Sequence, residues 1–230
     1  MPARQQAVYV GGNAMTTFPS IILMLTLCCP LTNYSQSGHK KTVPEMILKN
    51  HFDSREQVFV KLYKTKGKEV LYWETWNVDP TNATTHWGLL GNTGESENVG
   101  AKSHSEFKTK INTLIDQKIK EGYAEIPIER QYTLTVTFKL KSWGTTQDLD
   151  RREVIRNILT EHLGWTGNGR CDDGDIGSGE MTLFADVVDP YLAIRTIPKE
   201  LKSKNIVEEY YFTVLLGDKV IAEKIKPGQD

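Results

Sequence analysis

The stretch HWGLLGNTG, His86 to Gly94, places glycine at every third position beside a tryptophan, just after the aromatic run LYWETW at 71–76. Glycine loses more backbone freedom on folding than any other residue, so three at a fixed spacing need a conformational reason. A phosphate cradle, a nucleic-acid platform and a tight strand connection are the three readings such a stretch admits. Its neighbours decide the fold. VFVKLY (58–63) and EVLYWETW (69–76) are rich in β-branched and aromatic residues and flank the turn KTKGK, which reads as a hairpin. NVDPTN (77–82) is a second turn, THWGLL (85–90) a third strand, GNTGE (91–95) another turn and SENVG (96–100) a short fourth strand.

A helix is expected next. Ser103 with Glu106 fits a capping box, Phe107, Ile111, Leu114, Ile115 and Ile119 recur on one face, and Gly122 is placed to stop it. Trp73 or Trp76 is expected to pack between the sheet and this helix, with Tyr123 closing the core.

Residues 57–127, about a third of the chain, resemble a WGR domain. The resemblance rests on Tyr72-Trp73-Glu74-Thr75-Trp76, His86-Trp87-Gly88-Leu89-Leu90-Gly91, Gly94 and the helix end Lys118-Ile119-Lys120-Glu121-Gly122-Tyr123. In poly(ADP-ribose) polymerases this domain helps bind DNA and relays damage detection to a catalytic domain. The resemblance therefore implies a binding surface on Trp87 and Gly88, with Lys64, Lys66 and Lys68 as the nearest basic cluster. This chain departs from the family signature at Leu89, where arginine is expected. Residues 57–126 also hold nine lysines and nine carboxylates. Phosphate contacts dominate nucleic-acid affinity, so a neutral module without its arginine favours a protein partner over nucleic acid.

The second half reads as an α+β sandwich over 130–227 in the order β-α-β-α-β-β. YTLTVTFKLK (132–141) alternates, with Tyr132, Leu134, Val136, Phe138 and Leu140 on one face. A helix is expected from about Asp148 to Leu163, burying Val154, Ile155, Ile158, Leu159 and His162 or Leu163, and stopping at Gly164. GNGRCDDGDIGSG (167–179) reads as a connecting loop into the strand EMTLFADVV (180–188). Asp189-Pro190 caps a short helix that Pro198 is expected to end. NIVEEYYFTVLL and KVIAEKI are two strands joined by Gly217-Asp218.

The 167–179 loop carries Asp172, Asp173 and Asp175, a candidate oxygen-rich site. Their spacing is not that of an EF-hand, whose twelfth position counted from Asp172 would be Leu183. The loop also lacks the Gly-Lys-Ser/Thr of a phosphate-binding loop. Cys171 with His162 is the cysteine–histidine pair within this half, and it opens an alternative reading as a hydrolytic enzyme using the 167–180 loop. His39, His51, His86, His104 and His162 are scattered, so no metal site and no cofactor are expected. The preferred reading names no catalytic residue.

The whole chain has 28 basic and 29 acidic side chains, net −1, which supplies no electrostatic footprint for nucleic acid or an anionic membrane. At the N-terminus, IILMLTLCC (21–29) has the length of a signal-peptide apolar region, with cleavage expected near Ser35 or Gln36. That implies residues 1–36 as a signal peptide or extension, 37–56 as a linker, and a periplasmic or extracellular location with no stable membrane span in the mature chain. The competing reading is a buried N-terminal element in a cytoplasmic protein. Export would remove Cys28 and Cys29 and leave Cys171 as the one thiol. The function expected from these features is a non-enzymatic binding protein with a protein partner, and the alternative is nucleic-acid binding through the WGR-like module.

Overall fold

The computed structural model describes residues 51–228 other than Ser54. The expected leader and linker, with Cys28 and Cys29, lie outside the described residues. The fold is α+β, built on two antiparallel sheets and three helices.

The first sheet has the order β1-β2-β3-β4, with β1 at Phe59–Lys66, β2 at Glu69–Asp79, β3 at Asn82–Leu89 and β4 at Glu95–Gly100. Its pleat sorts the side chains into two different faces. Val60, Leu62, Trp73 and Ala83 point to α1 (His104–Lys120), where they meet Phe107, Ile111 and Ile115, each without solvent exposure. Burying an aliphatic or aromatic side chain of this size stabilises by about 2 kcal/mol. Of the two candidate tryptophans, Trp73 is the one that packs against the helix. Trp76 is three residues on and faces the other way.

Local signals set the ends of α1. The Ser103 side chain accepts from the Glu106 amide, while the Glu106 carboxylate accepts from Lys102 N rather than from the cap residue itself. Gly122 takes φ +94, and the Tyr123 amide returns to the Lys118 carbonyl, closing the helix in a Schellman arrangement. Lys64 Nζ reaches the Glu121 carbonyl at 2.6 Å and caps the same end.

The second sheet has the order β6-β7-β5-β8-β9. Its strands are β5 at Tyr132–Lys139, β6 at Gly169–Gly177, β7 at Glu180–Val187, β8 at Tyr210–Leu216 and β9 at Lys219–Ile225. The helices are α2 at Thr146–Trp165 and α3 at Pro190–Ser203. The connectivity β-α-β-β-α-β is that of the ferredoxin-like sandwich, extended by β9 at one edge. The core between this sheet and its helices contains Leu134, Val136 and Phe138 of β5, opposite Ile155, Leu159 and Leu163 of α2.

Four expectations for this half need correction. The segment 167–179 is not a loop: Gly169–Gly177 is strand β6, paired with β7 through a bulge between Cys171 and Asp173. The sandwich therefore has one strand more than the sequence order suggests. Proline does not end α3, because Pro198 lies inside it, between buried Ile197 and Leu201. Packing on both sides outweighs the roughly 3 kcal/mol that an interior proline costs. Helix α2 starts two residues earlier than the apolar pattern indicates, at Thr146 just after the capping box of Thr145 and Asp148, and it runs past Gly164 to Trp165. Val154 faces solvent, so the buried stripe of α2 is narrower than the sequence pattern implies.

The two sheets meet at the glycine-rich stretch. Tyr72 of β2 is fully buried, and Gly88, Gly94 and Gly167 surround its ring. A Cβ on Gly94 would overlap Tyr72 Oη and the Trp87 carbonyl, and a Cβ on Gly167 would overlap the Tyr72 ring. Gly91 donates to the Thr166 carbonyl at 2.8 Å, and Tyr63 Oη donates to the Gly167 carbonyl at 3.0 Å. The small apolar cluster of Tyr63, Tyr72 and Leu90, with Val188 and Leu192, completes this junction. HWGLLGNTG is thus the connection between β3 and β4 and the seat for the end of α2.

Candidate functional site

Three columns of side chains stand on the face of the first sheet opposite α1. The strand register sets Phe59 beside Trp76, Lys61 beside Glu74 and His86, and Tyr63 beside Tyr72 and Gly88. The far end of α2 and the first residues of β6 close over part of this face and leave a cleft of about 780 Å³. Trp76 and Trp165 form one corner, with ring centroids 6.2 Å apart and planes at 82°. The segment from Glu125 to Ile128 forms another wall.

The floor is a buried polar chain. Glu74 is 4% exposed and His86 1%. Lys61 Nζ lies 3.1 Å from Glu74 Oε2, and His86 Nδ1 lies 2.7 Å from Glu74 Oε1. His86 Nε2 is 2.6 Å from the Thr93 carbonyl, which can only accept, so this nitrogen carries a hydrogen. Tyr72 Oη is also within reach of Nε2, and the Trp165 ring covers the imidazole at 4.9 Å between centroids. Both ring nitrogens are therefore occupied, and no lone pair of His86 is offered to a substrate. Its role is to pin the 91–94 turn to β2.

The walls are acidic. Glu74, Glu125, Glu161, Asp172 and Asp186 face Lys61 and Arg170. Lys61 is held by Glu74, and Arg170 Nε is 2.6 Å from Asp172. Glu125, Glu161 and Asp186 are left with no ion pair among the described residues. Burial pushes the Asp186 carboxyl up, opposed by Arg170 and reinforced by Asp172.

Of the candidate site residues singled out in the sequence, Asp172 lines this cleft and the others do not. Trp87 is half-buried and packs on the α1 side with the first core, so its ring is not an open stacking surface. Gly88 makes room for Tyr72. Lys64 caps α1, while Lys66 and Lys68 lie exposed at the β1–β2 hairpin. Asp172 sits at the β6 bulge against Arg170, whereas Asp173 and Asp175 each accept from the next backbone amide. Among the described residues, no group of three or more metal-ligating side chains converges, and no helix is long and apolar enough to cross a membrane. The sequence reading missed Trp165, Glu161 and Asp186. Only the alternation of Tyr72, Glu74 and Trp76 along β2 pointed to a second, polar and aromatic face.

No hydrogen bond joins Cys171 and His162 among the described residues. Cys171 has no exposure, and burial pushes its thiol up to about 12. A thiol held there supplies no thiolate at neutral pH. His162 Nε2 is buried without a hydrogen-bond partner, and burial holds the imidazole below its ordinary value, partly opposed by Glu200. The unfolded chain therefore binds this proton more readily than the folded one. Stability should fall as pH drops from about 6.5 towards the lower folded value, and His162→Gln should remove that part of the decline. Urea titrations of both proteins at neutral and mildly acidic pH check this, and parallel pH profiles would count against it.

Comparison with family models, curated proteins and solved structures found no match for this chain.

Proposed function

We propose that the protein is a non-enzymatic binding protein in which residues 57–127 form a WGR-like module and whose ligand surface is the cleft between the two sheets. The observation that carries this reading is the contrast within the cleft. Its walls offer aromatic surface and unpaired carboxylates, while the histidine and tyrosine groups beneath them are already hydrogen-bonded within the protein. Both nitrogens of His86 are engaged, and the hydroxyls of Tyr63 and Tyr72 are bonded and pushed above their ordinary range by burial. A concave site of several hundred Å³, largely apolar with a few polar groups, is the usual form of a ligand site.

A partner protein fits better than nucleic acid, because the free charges of the cleft are negative and would repel phosphate. The test compares pooled short peptides of degenerate sequence with double-stranded DNA, by fluorescence anisotropy at low and moderate salt. Peptide binding that is lost in Trp165→Leu is expected. DNA binding that falls steeply with salt, unchanged in Trp165→Leu and lost in Lys66→Ala/Lys68→Ala, would replace this reading with the nucleic-acid one.

A further inference from the structure

The chemistry of the cleft narrows its occupant further, on the premise that the cleft is the ligand site. Three of its features point the same way. Glu125, Glu161 and Asp186 make no ion pair among the described residues. Asp186 is partly buried, and its carboxyl is raised by that burial, so a cation entering beside it relieves an unfavourable charge. Trp76 and Trp165 meet nearly at right angles and are both open to the cleft, Trp165 being 45% exposed. Two indole faces at a corner suit a guanidinium or ammonium group, which binds aromatic faces through their quadrupole. Arg170, the cation nearest to Asp186 in the strand register, is already held by Asp172.

The rim extends the site beyond one side chain. Phe59 is 67% exposed and Ile128 52%, and both line the cleft. They offer apolar contact to whatever is attached to the cation, which a small free cation could not use.

We infer that the cleft between the two sheets captures an arginine or lysine side chain on a segment of a partner protein, with the cation against Trp76 and Trp165 and near Glu161 and Asp186, and the adjoining residues over Phe59 and Ile128. Charge complementarity of this kind sets partner choice and association rate and weakens with salt.

The probes are pooled short peptides with degenerate flanks and a single fixed central residue: arginine, lysine, citrulline, leucine or glutamate. Citrulline keeps the shape of arginine without its charge. The arginine pool should bind about tenfold more tightly than the citrulline pool. Glu161→Gln/Asp186→Asn should erase that difference while leaving the thermal midpoint nearly unchanged, since both changes conserve side-chain shape. Phe59→Ser, at an exposed position, should weaken the arginine pool severalfold without destabilising the fold. Equal binding of arginine and citrulline pools, still lost in Trp165→Leu, would overturn the cation while leaving the cleft as the ligand site. Binding of N-acetylarginine amide as tightly as the arginine pool would overturn the polypeptide occupant. No peptide binding at all would overturn both this inference and the function it rests on.

Discussion

Replacing Gly94 with alanine is expected to cost about 3 kcal/mol or more, a large fraction of the total stability of an ordinary domain. Gly94 holds φ +70, and a Cβ there would overlap Tyr72 Oη and a backbone carbonyl that has no room to retreat. Gly67 is the internal control. It has nearly the same backbone conformation, φ +65, but nothing lies within 4 Å of its added Cβ. Gly67→Ala should therefore cost only the strain of the left-handed conformation, about 1 kcal/mol. Urea denaturation of the two variants separates the contributions of conformation and close approach. Similar losses for both would mean that the glycine spacing serves only to turn the chain and that Tyr72 is not a packing centre.

Glu74→Leu should be the second most damaging change, costing about 3 kcal/mol. The carboxylate sits between Lys61 and His86, and its two oxygens serve one of them each. Leucine removes both bonds and leaves the ammonium and the imidazole N–H facing apolar surface. Lys61→Met in the same chain should recover about 1 kcal/mol or more, because it removes one of the stranded groups, and a double-mutant cycle reads that coupling directly. A loss below about 1 kcal/mol for Glu74→Leu, with no coupling to Lys61, would show that this polar chain is open to water.

These two sites also show how far the sequence could be read. The glycines at 88, 91 and 94 announced a close approach, and the alternation along 132–140 and the cap Asp189-Pro190 announced β5 and α3. Each of these signals is local: φ preference, pleat period, or a side chain reaching an amide three residues away. What packs against the glycines was not legible, because Tyr72 is reached by residues of α2's end nearly a hundred positions along the chain. Strand β6 escaped for a different reason. Its inward residues Cys171, Gly174 and Ile176 are small or few, and the bulge at Asp172 shifts their period, so glycines and aspartates dominate the pattern. Pro198 misled in the opposite direction, since a strong local breaker was overruled by apolar packing on both sides of it.

The cleft was the least legible feature. Trp76 could be placed on a strand, but whether its ring met α1 or the opposite face depended on register. Trp165 lay next to Gly164, where the helix was expected to have ended already. Glu161 and Asp186 belong to a helix and a strand that approach the first sheet only through the junction at Gly91, Thr166 and Gly167. No spacing rule connects such positions, and only the fold brings them to one concavity.

The most direct measurement follows the indole N–H resonances of the five tryptophans by NMR as the arginine-centred peptide pool is added. Shifts at Trp76 and Trp165 are expected, with Trp73, buried beneath the sheet, and Trp143, 80% exposed outside the cleft, left in place. Shifts at Trp143 or Trp87 with Trp76 and Trp165 unmoved would contradict the assignment of the cleft between the two sheets as the binding site.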